Sequence, residues 1–246
     1  MELIFALVLL KIYWEDEKFT SNIAERNPTA GAFEALAKSS GFRYNRKMEQ
    51  IISKEEFNEL MSIEGETKGM AFKADFEYVI SKKGDEGLKK LEDTLEKLGY
   101  PLKYKELKVT KFYPSGLEPL LMVVCQRLFG YTDEDFWQLG VLSATMPWVV
   151  RIFIKYFGSL EMIVRGASAM WRKYYTKGKL KVVRVDKKKK FIILRIENFS
   201  LHPFYCKGME GYFATIVRMV VTGNPSCQEL KCVHRGDEYH EFLVKW

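Results

Sequence analysis

The chain has 246 residues, of which 47% are hydrophobic and 14% aromatic, with a formal charge of +7. That apolar content supplies a sizeable core and excludes a disordered chain. The 39 basic residues are interleaved with 32 acidic ones, so the charge reads as a mixed solvated surface, and a nucleic-acid partner is allowed but not favoured.

Leu3 to Leu10 is an unbroken apolar run. It is too short to span a bilayer, and with Glu2 before it there is no positive signal-peptide start. It reads as a buried strand or short helix, with a signal-like or membrane-anchoring segment or an artefact of an upstream start codon as alternatives, and no membrane partner is expected. Residues 1–63 read as an N-terminal extension or small subdomain, with residues 64–246 as the main domain. Within the extension, Thr29 to Ser39 suggests a short helix. Ser53-Lys-Glu-Glu56 is a capping box opening another, through Leu60.

Glu66 to Phe72 looks like a short strand. Asp75 to Lys83 and Asp85 to Leu98 read as two helices split at Gly84, the second with Leu88, Leu91, Leu95 and Leu98 on one face. Leu117 to Gly130 is an apolar helix, on which Cys125 is a core thiol. Thr132 caps the next helix. Val141 to Tyr156 is strongly apolar, with Pro147 near its start or at a kink, and Ser159 to Lys173 is another helix.

The pattern then changes. Leu180 to Val185 and Phe191 to Ile196 flank Asp186 and four lysines, a hairpin with a solvated tip. Pro203 to Val221 is helical, with Pro203 suited to a first turn. Cys227 to Val233 and Tyr239 to Trp246 form a second hairpin around Arg235-Gly236-Asp237. Along it Phe242, Val244 and Trp246 share one face. The fold class is α+β: a helical bundle packed on an antiparallel sheet, ending in a β-β-α-β-β unit.

All three histidines and three of the four cysteines lie in the last 45 residues. Uneven cysteine spacing does not suit a secreted disulfide framework, so an intracellular metal or core role, and a cytoplasmic location, are expected. Thiolate and imidazole are zinc ligands, and a structural site takes four. Cys206, Cys232 and His240 are three candidates. His202, four residues before Cys206, is the favoured fourth, with Cys227, Glu197, Glu210 or water as alternatives and His234 as a spare. Four protein ligands would close the site, so the zinc would contribute folding energy rather than activate water. No Gly-rich phosphate loop, Ser-His-Asp pattern or His-Glu-x-x-His occurs, and no enzymatic activity is expected.

The carrying residues His202-Pro203…Cys206…Gly211-Tyr-Phe and Cys232-x-x-x-Gly236-Asp237-x-x-His240-x-Phe242 make the chain from about Glu64 onward resemble the 4-vinyl reductase domain family. These are small-molecule-binding sensor domains related in fold to heme-nitric-oxide-binding domains. In phenol-sensing activators with this domain, one cysteine opens the helix after the first hairpin. A second follows 26 residues on, a third eight beyond that, and a carboxylate comes from elsewhere. Here Cys206 and Cys232 are 26 apart, and His240 stands eight beyond, where the family has cysteine. The resemblance implies an apolar pocket between the helices of the 120–175 block and the post-hairpin helix. Among the many aromatic residues, Trp148, Phe153, Trp171 and Tyr212 are its candidate lining.

The implied function is a non-enzymatic sensor that binds a small apolar ligand and passes its signal through a homodimer or a separate signalling partner. One alternative is a heme-based gas sensor with His202 as axial ligand. The missing Tyr-x-Ser-x-Arg pattern of heme-nitric-oxide-binding domains argues against heme. A second alternative is a zinc-stabilised nucleic-acid-binding adaptor.

Overall fold

A computed structural model of the chain describes residues 49–146 and 158–246. The Leu3 to Leu10 run, the helix expected at Thr29 to Ser39, and the candidate pocket residues Trp148 and Phe153 lie outside these.

Helix α1 (Lys54–Met61) starts where the Ser53 side chain accepts the backbone N–H of Glu56. Strand β1 (Glu66–Lys68) pairs with β2 (Phe112–Pro114), and α2 (Gly69–Lys97) runs between them. The strand expected over Glu66 to Phe72 is therefore helical from Gly69 onward. Phe72, Phe76 and Val79 are fully buried at helical spacing, and that period outweighs the local β-like composition. Gly69 can start the helix there because a Cβ would lie 2.4 Å from the Lys108 carbonyl oxygen. Gly84, with φ +65°, breaks α2 at the expected split.

Helices α3 (Leu117–Phe129), α4 (Asp133–Thr145) and α5 (Leu160–Tyr174) follow. Gly130 caps α3 in the left-handed conformation, and Thr132 forms a full capping box with Asp135 at the start of α4. Strands β3 (Lys179–Asp186) and β4 (Phe191–Glu197) form the first hairpin. Helix α6 (Pro203–Arg218) leads to β5 (Ser226–Lys231), a short 3-10 turn (Val233–Arg235) and β6 (His240–Lys245). The sheet order β3-β4-β6-β5 is antiparallel throughout. On β6, His240, Phe242 and Val244 face inward. No helix among the described residues is long and apolar enough to cross a membrane.

One large core joins both parts, from Phe57 and Leu60 of α1 through Phe72 and Leu120 to Ile192, Phe213 and Phe242. Its tightest seam is between α4 and α6. A Cβ on Gly140 would lie 1.9 Å from the Gly208 carbonyl oxygen, and one on Gly211 would lie 2.1 Å from that of Trp137. Backbone meets backbone there, so no side chain fits. Gly211→Ala is expected to cost about 1–3 kcal/mol by overpacking, measured by urea unfolding. Gly158→Ala, where an added Cβ meets nothing within 4 Å, is the neutral control. Equal midpoints for the two variants would contradict this seam.

Candidate functional site

Four donors converge where α6 meets the second hairpin: Cys206, Glu229, Cys232 and His240, with ligand atoms all within 4.8 Å of one another. Pro203 at the first turn of α6 sets the entry angle, and Cys206 follows one turn in. Glu229 comes from β5, and His240 is the first residue of β6. Cys232 stands at the bend between them. Its N–H donates to the Asp237 carboxylate at 2.8 Å, while the Asp237 N–H donates back to its carbonyl. Gly236, at φ +92°, makes that bend sterically free.

The Cys206 Sγ lies 3.7 Å from the Cys232 Sγ and 3.7 Å from His240 Nδ1. A disulfide would need about 2.05 Å. A zinc tetrahedron with Zn–S bonds of about 2.3 Å has S···S edges of about 3.8 Å. Glu229 Oε1 lies 2.9 Å from His240 Nδ1, and its other oxygen accepts from Arg235 at 3.0 Å. Burial raises the pKa of the Cys206 thiol, and the nearby Glu229 charge and Cys232 add to the shift. Burial likewise raises that of the Cys232 thiol. Burial also opposes ionisation of Glu229, but hydrogen bonds from His240 and Cys232 hold its carboxyl below the usual value. A bound cation would displace the thiol protons and remove the conflict among these groups. The donor set fits a tetrahedral site for a soft divalent metal.

The structure groups Cys206, Cys232 and His240 with Glu229, and His202 lies outside this group. His202 is the N-cap of α6, its Nδ1 accepting the Phe204 N–H at 3.3 Å. Burial pulls its pKa down to about 4. The alternatives are also placed elsewhere. Glu210 accepts the Glu229 N–H at 2.7 Å and an ion pair from Lys207 at 3.1 Å, pinning α6 to β5. Glu197 pairs with Lys181, Cys227 packs against the core, and the His234 ring centroid is 5.6 Å from that of His240. Glu229 pairs with Phe242 and shares the inward face of β5 with Cys227, which puts it beside His240 of β6; a bulge follows before Lys231↔Glu241.

Beside this group lies a cavity of about 160 Å³, lined by parts of α2 to α6 and the sheet. Trp171 and Tyr212, both expected in the lining, are there. Two residues not anticipated also line it: Asp75 on α2 and Glu118 on α3. The only sequence signal was an acid amid apolar neighbours, in Ala74-Asp75-Phe76 and Leu117-Glu118-Pro119. Asp75 is 7% exposed and Glu118 5%. Burial pushes Glu118 up to about 8, with Thr67 and Tyr175 hydroxyls holding it back, and burial together with the Glu118 charge holds Asp75 well above its ordinary value. Tyr205 donates to Tyr175 at 2.7 Å, continuing that hydroxyl chain.

No family model matches the chain, and a search of curated proteins finds no match. Among solved structures, it is similar to an H-NOX protein from S. oneidensis in the Fe(II)NO ligation state, with a TM-score of 0.55 at 16% identity, covering 72% of this chain and 98% of that one. An NMR structure of an H-NOX domain from Shewanella oneidensis in the Fe(II)CO state has a TM-score of 0.53 at 16% identity, covering 72% and 97%. A structure probing heme distortion in the H-NOX family has a TM-score of 0.52 at 12% identity, covering 73% and 94%. These likenesses show the fold: the chain takes that of H-NOX domains. Because those domains are described through heme and its ligation states, the expectation that argued against heme is overturned.

The described cavity lining tests the fit of a heme. Its possible axial donors are thioethers such as Met122 and Met170 and phenols such as Tyr175 and Tyr212, with no histidine and no cationic side chain for the propionates. His202, the expected axial ligand, is not in the lining. The donor types fit, but the volume matches one benzene-sized ring, so a macrocycle requires the walls to open.

The raised Glu118 pKa predicts a pH dependence. The folded chain keeps a proton that the unfolded chain releases, so this contribution is full below about pH 4.5 and is lost as pH rises to about 8. Tyr175, Tyr205, Thr67 and Asp75 face the same carboxyl. Glu118→Gln is expected to flatten the fall in unfolding free energy across that window, measured by urea unfolding. An unchanged slope would count against the burial of a titrating carboxyl here.

Proposed function

We propose that the chain is a non-enzymatic small-molecule-sensing domain, with its ligand in the apolar cavity and its C-terminal hairpin held by a structural zinc ion. The observation that carries this is the placement of α6. Its first turn holds Cys206, while Gly208, Met209, Tyr212, Phe213, Ile216 and Val217 line the cavity. Ligand occupancy would therefore act on the helix that the metal group pins to the hairpin, shifting the populations of its packing states. A second copy or a separate signalling protein would read that shift, in the cytoplasm on this reading. Membership of the 4-vinyl reductase domain family is part of the proposal, and Glu229 supports it by supplying the carboxylate that the resemblance requires.

The second reading is a heme-based gas sensor. The comparisons favour it over the first reading, since the similar structures are H-NOX domains in Fe(II)NO and Fe(II)CO ligation states. A heme would supply gas binding, while this chain's side chains would supply an axial donor and an apolar wall. A visible spectrum of protein expressed with heme supplementation separates the readings. A Soret band with stoichiometric iron selects heme; colourless protein that binds a small organic ligand selects the first.

About one zinc per chain is expected on metal analysis. Cys206→Ser, Cys232→Ser and Glu229→Gln should lose it and lower the melting temperature, whereas Cys227→Ser should keep it. Zinc-free protein as stable as the zinc-treated form would contradict the clasp. For the cavity, small aromatic compounds should stabilise the chain by about 2.7 kcal/mol at a hundredfold excess over the dissociation constant. Ala167→Phe, buried in the lining, should abolish that shift, and Ala169→Phe, on the exposed face of α5, should not. Equal shifts in both variants would place the ligand elsewhere.

A further inference from the structure

The cavity lining is largely apolar, and it includes two carboxyls that interact with each other, Asp75 and Glu118. Asp75 Oδ2 and Glu118 Oε2 are fully buried and have no hydrogen-bond partner among the described residues. Both side chains are more than nine-tenths buried, and both line the cavity. Thr67, Ser115, Tyr175 and Tyr205 form the hydroxyl chain behind Glu118, so its unpartnered oxygen is not a gap in that network. Among the described lining there is no Lys, Arg or His. Buried acceptors without donors cost stability unless something supplies the donors.

We propose that the cavity selects a small primary amine, with the ammonium donating to Asp75 Oδ2 and Glu118 Oε2 and the apolar body against Trp171, Tyr212 and Ile216. This rests on the reading of the cavity as the ligand site. An ammonium carries three donors and no acceptor, and it pairs with Asp75 Oδ2 and Glu118 Oε2 once the carboxyl pair has passed a proton to the entering free amine. Its charge also compensates a carboxylate that the apolar surroundings otherwise penalise. A carboxylate or phosphate ligand would find no cationic partner in the described lining. A neutral hydrocarbon would fill the volume but leave both oxygens unpartnered. The cavity of about 160 Å³ limits the body to about one six-membered ring, since a cavity near 150 Å³ accommodates benzene.

The test compares benzylamine with ethylbenzene, its uncharged isostere, by titration calorimetry on the full chain at neutral pH. Benzylamine is expected to bind about tenfold tighter or more, the worth of one charge-assisted hydrogen bond. Asp75→Asn with Glu118→Gln should remove that preference while keeping the affinity for ethylbenzene, which also reports that the variant is folded. Should that variant not fold, Glu118→Gln alone is expected to reduce the preference. Ethylbenzene binding with benzylamine equal or weaker in the wild type would overturn the amine assignment and leave the cavity reading standing. Binding of neither compound would overturn both.

Discussion

The structure depends on one constraint, the meeting of α6 with the second hairpin at four donor atoms. Cys206 alone comes from the helix; Glu229, Cys232 and His240 come from β5, the bend and β6. Without a cation these are two buried thiols, an imidazole and a carboxylate packed within a few ångströms, an arrangement with little reason to form by itself. With one, the same groups become the rigid joint of the C-terminal unit. The Glu210 carboxylate, held between Lys207 and the Glu229 backbone, reinforces the joint.

From that joint α6 runs along α4 in backbone contact, through Gly140, Gly208 and Gly211. The close approach leaves α6 no freedom to slide without clashes, so a displacement at one end is carried along the helix. The inner face of the same helix forms a wall of the cavity. Two features separated in sequence thus share one rigid element, and on the proposed reading occupancy of the cavity would act on that element.

Much of this was legible in the sequence. Local signals gave the end of α3 and the starts of α4 and α5, because Gly130, Thr132 and Ser159 act through their own backbone neighbours, whereas α4 runs on through Val141 to Thr145 into the segment read as separate. The β-β-α-β-β tail followed from alternation and turn residues. Three members of the four-donor group followed from residue type and from the spacing of the family the chain resembles. The fourth did not, because Glu229 reaches His240 only through strand pairing, whereas His202 is close in sequence and instead caps a helix. The start of α2 was misread as strand because Glu66 to Phe72 is short and its helical period appears only with Phe76 and Val79. Asp75 and Glu118 were missed for a related reason: each lies on a different helix, and only packing brings them to one cavity. The heme question turned on fold likeness, which the missing sequence pattern could not reveal at 12–16% identity.

The central claim is that the metal joint and the cavity act on each other through α6. By linkage, metal removal should weaken ligand binding, and ligand should strengthen metal retention by the same factor. The direct measurement is the affinity for a cavity ligand before and after chelation, on protein shown by circular dichroism to remain folded. A loss of about fivefold or more is the result this account predicts. Equal affinities in the two states would contradict it, reducing the four-donor group to a staple and removing α6 as the element that carries the signal.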